Sequence, residues 1–274
     1  MALPNLIIIG AMKCGTSSMH NYLDAHPEIA MSRQKELNFF SFDRNWHRGE
    51  DWYGRHFSST AAIQGESSPS YSKFPKVPHV PERIKALIPS ARFIYLVRDP
   101  VARIISHYMH LYVGGREERS LNEALTEFEG NHYVECSRYY MQLQQYLEHF
   151  SQSQILVVSA EEMKEKRQET LREVFRFLDV DETFRSPRHD AIYHSSKPQG
   201  LFRRWAERRR FARTLRPYVP RSVVYWAATQ GPKQRAVEPP SLDKDVRESL
   251  CDYLREDVEQ FRSQVGRAFA QWSI

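Results

Sequence analysis

The residues best suited to chemistry begin in a glycine-flanked turn near the start of the chain. A short apolar run at residues 6–9 is followed by GAMKCGTSS at residues 10–18. Gly10 and Gly15 permit backbone conformations that other residues resist, and Lys13 adds a positive charge between them. Three hydroxyl residues follow and can cap a helix there: Thr16, Ser17 and Ser18. Because the first N–H groups of a helix bind phosphate-like anions, this turn predicts an anion site.

The position of the lysine argues against a nucleotide kinase. A Walker A loop reads G-x-x-x-x-G-K-[ST], with its lysine directly after the second glycine. Here Lys13 stands two residues before Gly15, and no lysine follows that glycine. A lysine in this place reaches a different atom of a bound ligand.

A second group of polar residues follows the apolar run FIYLV at residues 93–97. Arg98 directly follows that run, and Pro100 suits the first turn of a helix. In an open α/β sheet, ligands collect beyond the carboxyl ends of the strands. Arg98 and Ser106, two helical turns further on, could therefore clamp a phosphate. The alternative is a structural ion pair between Arg98 and Asp99, with Ser106 facing solvent.

The elements that must position these residues follow from hydrophobic patterning. Continuous apolar runs predict strands buried on both faces of a parallel sheet: residues 6–9, 93–97 and 155–158. Apolar residues at helical spacing predict helices in three further segments: residues 139–150, 171–178 and 246–265. We therefore expect an α/β fold with a P-loop-like central parallel sheet flanked by helices, as a single domain over residues 1–274.

Composition limits the class of protein. The 274 residues are 41% hydrophobic and 27% charged, which excludes a disordered or collagen-like chain. The net charge of +5 is too small to indicate a nucleic-acid partner. No run approaches the ~18 apolar residues of a membrane helix, and we expect no secretion signal. Three scattered cysteines favour a reducing cytoplasm over disulfides or a zinc site: Cys14, Cys136 and Cys251.

Four segments occur together in the order and spacing of one enzyme family. They read GAMKCGTS at residues 10–17, KELNFF at 35–40, GESSPSY at 65–71 and LVRDPVARIISHY at 96–108. Together they resemble the sulfotransferases that use 3′-phosphoadenosine 5′-phosphosulfate (PAPS), most closely the heparan-sulfate-type and bacterial branch. The resemblance implies transfer of a sulfuryl group to a hydroxyl or amine, with adenosine 3′,5′-bisphosphate as product and no metal. The acceptor could be a small molecule, carbohydrate, lipid or carrier-bound group.

The resemblance also implies which residues hold the donor. Arg98 and Ser106 match the pair that holds the 3′-phosphate in that family. Lys13 would act on the leaving oxygen of the 5′-phosphate. The phosphosulfate would be held by the residues of the first turn: Lys13, Cys14, Gly15, Thr16, Ser17 and Ser18.

On the acceptor side, the resemblance implies that Glu36 is the general base. A general base works best when its pKa lies near the working pH. Phe39 and Phe40 could desolvate this carboxylate, while the adjacent Lys35 would have the opposite effect. His110 matches a histidine that could orient the acceptor or share the proton transfer, and His107 is the alternative. Each of these residues could instead be a solvated or structural side chain.

Two features leave the acceptor open. Ser67 stands where the heparan-type enzymes carry a lysine, which argues against a heparan-like substrate. Lys197 and Arg203 lie where relatives close a late loop over the nucleotide. They begin a segment with eight arginines between Arg203 and Arg221, which is either a lid that faces an anion or a solvated helix face.

Two other functions fit part of the pattern. A P-loop nucleotide kinase or NTPase would require Mg²⁺ and the missing Walker A lysine. A non-catalytic nucleotide-binding module would leave Glu36 without a role. Binding of adenosine 3′,5′-bisphosphate without metal distinguishes the sulfotransferase from the first of these, and turnover distinguishes it from the second.

Overall fold

A five-stranded parallel sheet forms the centre of the computed structural model, which describes residues 2–57, 60–191, 193 and 240–274. The strand order is β2-β3-β1-β4-β5, and every pairing is parallel. The strands are β1 (Leu6–Gly10), β2 (Ile29–Met31), β3 (Ile63–Ser67), β4 (Arg92–Val97) and β5 (Ile155–Ser159). The predicted α/β fold with a P-loop-like parallel sheet is confirmed.

The continuous apolar runs become the central strands. β1, β4 and β5 coincide with the runs at residues 6–9, 93–97 and 155–158, so these three predictions are confirmed. Their side chains are almost all buried, because helices cover both faces of a parallel sheet. The sequence patterns did not predict β2 and β3. β2 has only three residues, and in β3 Gln64 and Glu66 interrupt the apolar pattern.

The helices lie between and after the strands. They are α1 (Thr16–Leu23), α2 (Asp43–Trp46), α3 (Gly49–Gly54), α4 (Val80–Leu87), α5 (Pro100–Val113), α6 (Leu121–Ala124), α7 (His132–Glu135), α8 (Tyr139–Leu147), α9 (Ala160–Glu165), α10 (Arg167–Phe177) and α11 (Lys244–Val265). The three predicted helices are confirmed as α8, α10 and α11, and α5 begins at Pro100 as expected. In the described part of the chain, no helix combines the length and apolar character that a bilayer span requires. The single domain over residues 1–274 stays a prediction.

The C-terminal helix α11 packs against α8. The buried carboxylate of Asp257 accepts hydrogen bonds from the N–H groups of Tyr140 (3.0 Å) and Met141 (2.9 Å) at the start of α8. Burial raises the pKa of Asp257 to about 6. Phe261 packs against the ring of Tyr139, with 5.7 Å between ring centroids. These contacts fix Tyr139, whose hydroxyl in turn holds the end of β4.

Candidate active site

The turn between β1 and α1 lies at the carboxyl edge of the sheet. Lys13 has a φ of 75° and Gly15 a φ of 91°, both in the left-handed region. A Cβ atom on Gly15 would lie 2.6 Å from the Cε atom at the flexible end of Met163, so the positive φ, more than the packing, favours glycine here. Gly15 is itself the N-cap of α1, and no side chain caps the helix. The predicted hydroxyl cap is therefore wrong, because the hydroxyl residues lie inside the first helical turn.

The first turn of α1 offers N–H groups and hydroxyls to a ligand. The initial N–H groups of a helix have no partner within the helix, and they carry the positive end of its dipole. The hydroxyl of Ser18 donates to the carbonyl of Tyr193 at 3.3 Å, while Thr16 is buried and Ser17 half-buried beside it. This arrangement suits an anionic group with several oxygens.

Cys14 contributes to this turn differently from its neighbours. Its thiol is buried 3.8 Å from the hydroxyl of Tyr139. Burial raises the pKa of Cys14 to about 11, so it stays a neutral thiol. Its N–H donates to the carbonyl of Ala11 at 3.2 Å. The side chain of Cys14 therefore packs in the core and does not line the turn.

The second polar group is built at the end of β4. The hydroxyl of Tyr139 donates to the carbonyl of Arg98 at 2.8 Å and accepts from its N–H at 3.3 Å. Asp99 does not pair with the arginine. Its carboxylate accepts from the N–H of Ala102 at 2.7 Å and caps α5. The alternative ion pair does not form, and Ser106 is half-buried two turns along α5.

Several of the predicted site residues influence one another's charge. Burial lowers the pKa of Lys13, and the Arg98 guanidinium lowers it further. The pKa of His110 is likewise lowered by burial and then by Lys13, while Glu36 raises it. Because β1 and β4 are neighbouring parallel strands, the turn with Lys13 and the strand end with Arg98 lie at the same edge of the sheet. The ring of His110 is exposed, with its Nε2 atom 3.1 Å from Arg116.

Glu36 is tied to the sheet edge by its backbone. Its φ is 64°, and its N–H donates to the carbonyl of Ser67 at 2.9 Å, at the end of β3. The carboxylate is 56% exposed and lies 3.0 Å from the ammonium of Lys35. The expected desolvation by Phe39 and Phe40 is wrong, because both rings are buried in the core and leave the carboxylate in water.

The buried carboxylate of this region belongs to Glu66. It accepts hydrogen bonds from the hydroxyls of Tyr53 (3.0 Å), Tyr71 (2.6 Å) and Ser68 (2.6 Å). Burial raises the pKa of Glu66 above its usual value, although each of the three hydrogen-bond donors acts to lower it. The network joins the end of β3 to the segment that carries Glu36. Sequence reasoning included Glu66 in a motif without giving it a role.

Sequence reasoning also missed the function of Arg103, which is fully buried. Its guanidinium donates to the hydroxyl of Ser137, to the carbonyl of Tyr133 (2.6 Å) and to the carbonyl of Met12 (3.4 Å). Arg103 therefore links α5 to the turn between β1 and α1, at Met12, the residue directly before Lys13. It also lies 3.3 Å from the buried Nδ1 atom of His107. Burial and then Arg103 lower the pKa of His107, so the alternative histidine is a neutral structural residue.

We expect Arg103→Met to lower the free energy of unfolding by at least about 2 kcal/mol, because its buried acceptors lose charged donors. Urea denaturation measures this loss. Arg172→Met, at an exposed arginine on α10, is the matched control and is expected to change stability by less than about 0.5 kcal/mol. Equal denaturation midpoints for the two variants would show that Arg103 does not brace the turn.

The fold and the site together define a class of protein. It is an α/β protein with a glycine-flanked turn that carries Lys13 after its first strand, Arg98 after β4, and no Walker A lysine. The family model described as "Sulfotransferase domain" matches residues 3–211, and the chain belongs to this family.

Known proteins similar to this chain include two heparan sulfate enzymes. It is 32% identical over 194 residues to human heparan sulfate glucosamine 3-O-sulfotransferase 5, covering 65% of this chain and 54% of that protein. It is 27% identical over 196 residues to the Caenorhabditis elegans bifunctional heparan sulfate N-deacetylase/N-sulfotransferase 1, covering 66% and 22%. The chain thus spans about half or less of the length of these relatives. A sulfotransferase from Alicyclobacillus acidocaldarius superposes over 100% of both chains, with a TM-score of 0.71 and 25% identity.

Part of the predicted site lies outside the described residues. Lys197, Arg203 and the arginine-rich segment that follows them belong to this part, so their roles stay predictions. Within the described ranges, no group of three or more histidine, cysteine, aspartate or glutamate side chains is arranged to hold a metal ion.

Proposed function

We propose that the chain transfers a sulfuryl group from PAPS to a hydroxyl or amine. The observation that carries this proposal is that the turn after β1, with Lys13, and the end of β4, with Arg98, lie at the same edge of the sheet on neighbouring parallel strands. Two cations therefore stand at this edge on separate elements. A donor with a 5′-phosphosulfate and a 3′-phosphate offers one anion to each.

The donor would be held at both ends. The N–H groups and hydroxyls at the start of α1 suit the phosphosulfate, and Lys13 adjoins them. Arg98, fixed through its backbone by Tyr139, would hold the 3′-phosphate together with Ser106. Because the two anchors are rigid parts of the sheet edge, the reacting sulfur is placed before an acceptor arrives.

In the reaction, the acceptor oxygen or nitrogen attacks sulfur and forms a new bond to it. The bond between sulfur and the 5′-phosphate oxygen breaks, and its electron pair leaves with adenosine 3′,5′-bisphosphate. Glu36 takes the proton of the acceptor, while Lys13 stabilises the charge that develops on the leaving oxygen. His110 would orient the acceptor.

The acceptor class is proposed only broadly, as a small molecule, carbohydrate, lipid or carrier-bound group. By their names, the two curated relatives described above are heparan sulfate enzymes. Ser67, at the position of the heparan-type lysine, is fully buried, which favours a different acceptor. We further propose a cytoplasmic location, supported by three free cysteines.

Calorimetry tests the donor. We expect adenosine 3′,5′-bisphosphate to bind without added metal, and we expect Arg98→Met to weaken this binding about tenfold or more, because a charge-assisted hydrogen bond to phosphate is lost. ATP with Mg²⁺ is the competing ligand. Tighter binding of Mg²⁺–ATP, or an Arg98→Met variant with unchanged affinity for adenosine 3′,5′-bisphosphate, would contradict the proposal.

A further inference from the structure

A second lysine, in the loop after β3, lies beside the turn between β1 and α1. Lys73 is half-buried, and its ammonium lies 3.5 Å from the thioether sulfur of Met12. A thioether is a weak hydrogen-bond acceptor. Among the described residues, no carboxylate lies within ion-pair distance of this ammonium. A cation held in this way is suited to an anion that arrives with a substrate.

The backbone on both sides of Lys73 is fixed. Ser72 is buried against Gly10, where a Cβ atom would lie 1.9 Å from the serine hydroxyl oxygen. The N–H of Phe74 donates to the side-chain carbonyl of Gln142 at 2.8 Å, and the side-chain amide of Gln142 donates back to the Phe74 carbonyl at 2.6 Å. Gln142 is itself buried. Lys73 is therefore held between two anchored residues.

Lys73 lies beside the turn between β1 and α1 and is influenced by the charge of the proposed base, Glu36. Met12, beside its ammonium, directly precedes Lys13 in the first turn. Burial lowers the pKa of Lys73, and Glu36 is among the groups that raise it. Lys73 also lowers the pKa of His110. In-line transfer requires the sulfuryl group to pass through the space between the leaving oxygen and the acceptor.

We propose that Lys73 binds the sulfuryl oxygens during transfer and supplies the positive charge that is absent at Ser67. This assignment rests on the proposed function. Lys73 forms and breaks no covalent bond and keeps its protons. The acceptor proton goes to Glu36, and the electron pair of the broken sulfur–oxygen bond leaves with adenosine 3′,5′-bisphosphate. The ammonium interacts with the negative charge on the sulfuryl group during transfer. Adenosine 3′,5′-bisphosphate, the nucleotide product, no longer carries this group.

Three variants test the assignment: Lys73→Met, Lys73→Arg and the control Lys76→Met, at an exposed lysine of the same loop. Transfer of labelled sulfate from PAPS into a metabolite extract of the source organism gives the rate, and calorimetry gives the affinity for adenosine 3′,5′-bisphosphate. We expect Lys73→Met to lower the rate at saturating PAPS about 100-fold, with product affinity within about twofold of wild type. Lys73→Arg, which keeps the charge, is expected to regain at least about tenfold. Lys76→Met should match wild type.

Two results for the variants would overturn the assignment. If Lys73→Met weakens product binding as much as Arg98→Met does, Lys73 belongs to the nucleotide site and not to the sulfuryl group. If its rate equals that of Lys76→Met, Lys73 has no part in transfer. Unchanged product affinity also shows that the variant is folded. Wild-type protein that binds no adenosine 3′,5′-bisphosphate would overturn the proposed function itself, and this assignment with it.

Discussion

Replacing Lys13 with alanine is expected to lower the rate of sulfuryl transfer at saturating PAPS by about a thousandfold. The reason is that negative charge appears on the 5′-phosphate oxygen as its bond to sulfur breaks. In the proposed complex Lys13 would adjoin that oxygen, in a turn that contains Gly15 at a positive φ and that Arg103 holds through the carbonyl of Met12. Affinity for adenosine 3′,5′-bisphosphate is expected to fall far less than the rate, because much of the interaction arises only in the transition state.

The measurement is transfer of labelled sulfate from PAPS into a metabolite extract, with circular dichroism to verify the fold. Lys164→Ala removes an exposed lysine from α9 and serves as the matched control. A Lys13→Ala variant that keeps a tenth or more of the control rate would remove Lys13 from the mechanism. A variant that loses product affinity and rate in equal proportion would show that Lys13 contributes uniform binding only.

The parts of the fold that could be predicted from sequence are those that local pattern determines. β1, β4 and β5 are continuous apolar runs, and burial on both faces of a parallel sheet requires that pattern. Their carboxyl ends share one edge of the sheet, so the polar residues after β1 and β4 were bound to lie near each other. The placement of Lys13 and Arg98 could therefore be predicted from sequence. The strand β3 could not, because its buried Glu66 is polar and finds its hydrogen-bond donors in Tyr53, Tyr71 and Ser68.

Contacts between distant parts of the chain could not be predicted in the same way. Arg103 looks like one more polar residue on a helix, yet its acceptors include a carbonyl 91 positions earlier. Phe39 and Phe40 are close to Glu36 in sequence, but the positive φ angles of Glu36 and Asn38 turn the chain between them. The rings enter the core and the carboxylate stays outside. Nearness in sequence therefore does not establish which side chains share an environment.

The cleft holds a concentration of positive charge that its ligands must balance. Burial lowers the pKa of both Lys13 and Lys73, and a neighbouring guanidinium lowers each further, Arg98 for Lys13 and Arg103 for Lys73. Like charges in a partly desolvated site repel one another. A bound anion attracts each of them and so offsets this repulsion. A donor with three anionic groups fits such a site. In the proposed mechanism, the exposed carboxylate of Glu36 takes the proton of the acceptor.

Replacing Glu36 with glutamine is expected to lower the rate of transfer between about 100-fold and 10,000-fold, the usual range for the loss of a general base. Glutamine keeps the shape of the side chain but cannot take the acceptor proton. Affinity for adenosine 3′,5′-bisphosphate is expected to stay within about twofold of wild type, since the donor is held by α1 and Arg98 and not by Glu36. The same sulfate-transfer assay and calorimetry measure both quantities.

Glu50→Gln, at an exposed glutamate of α3, is the matched control for this variant, and His110→Ala separates the two candidate bases. If Glu36 is the base, Glu36→Gln loses far more rate than His110→Ala, because an orienting residue contributes less than the group that accepts the proton. The reverse order would make His110 the base, and its burial-lowered pKa would then keep the imidazole neutral and able to accept a proton near pH 7. Glu36 would in that case act only by raising the basicity of His110.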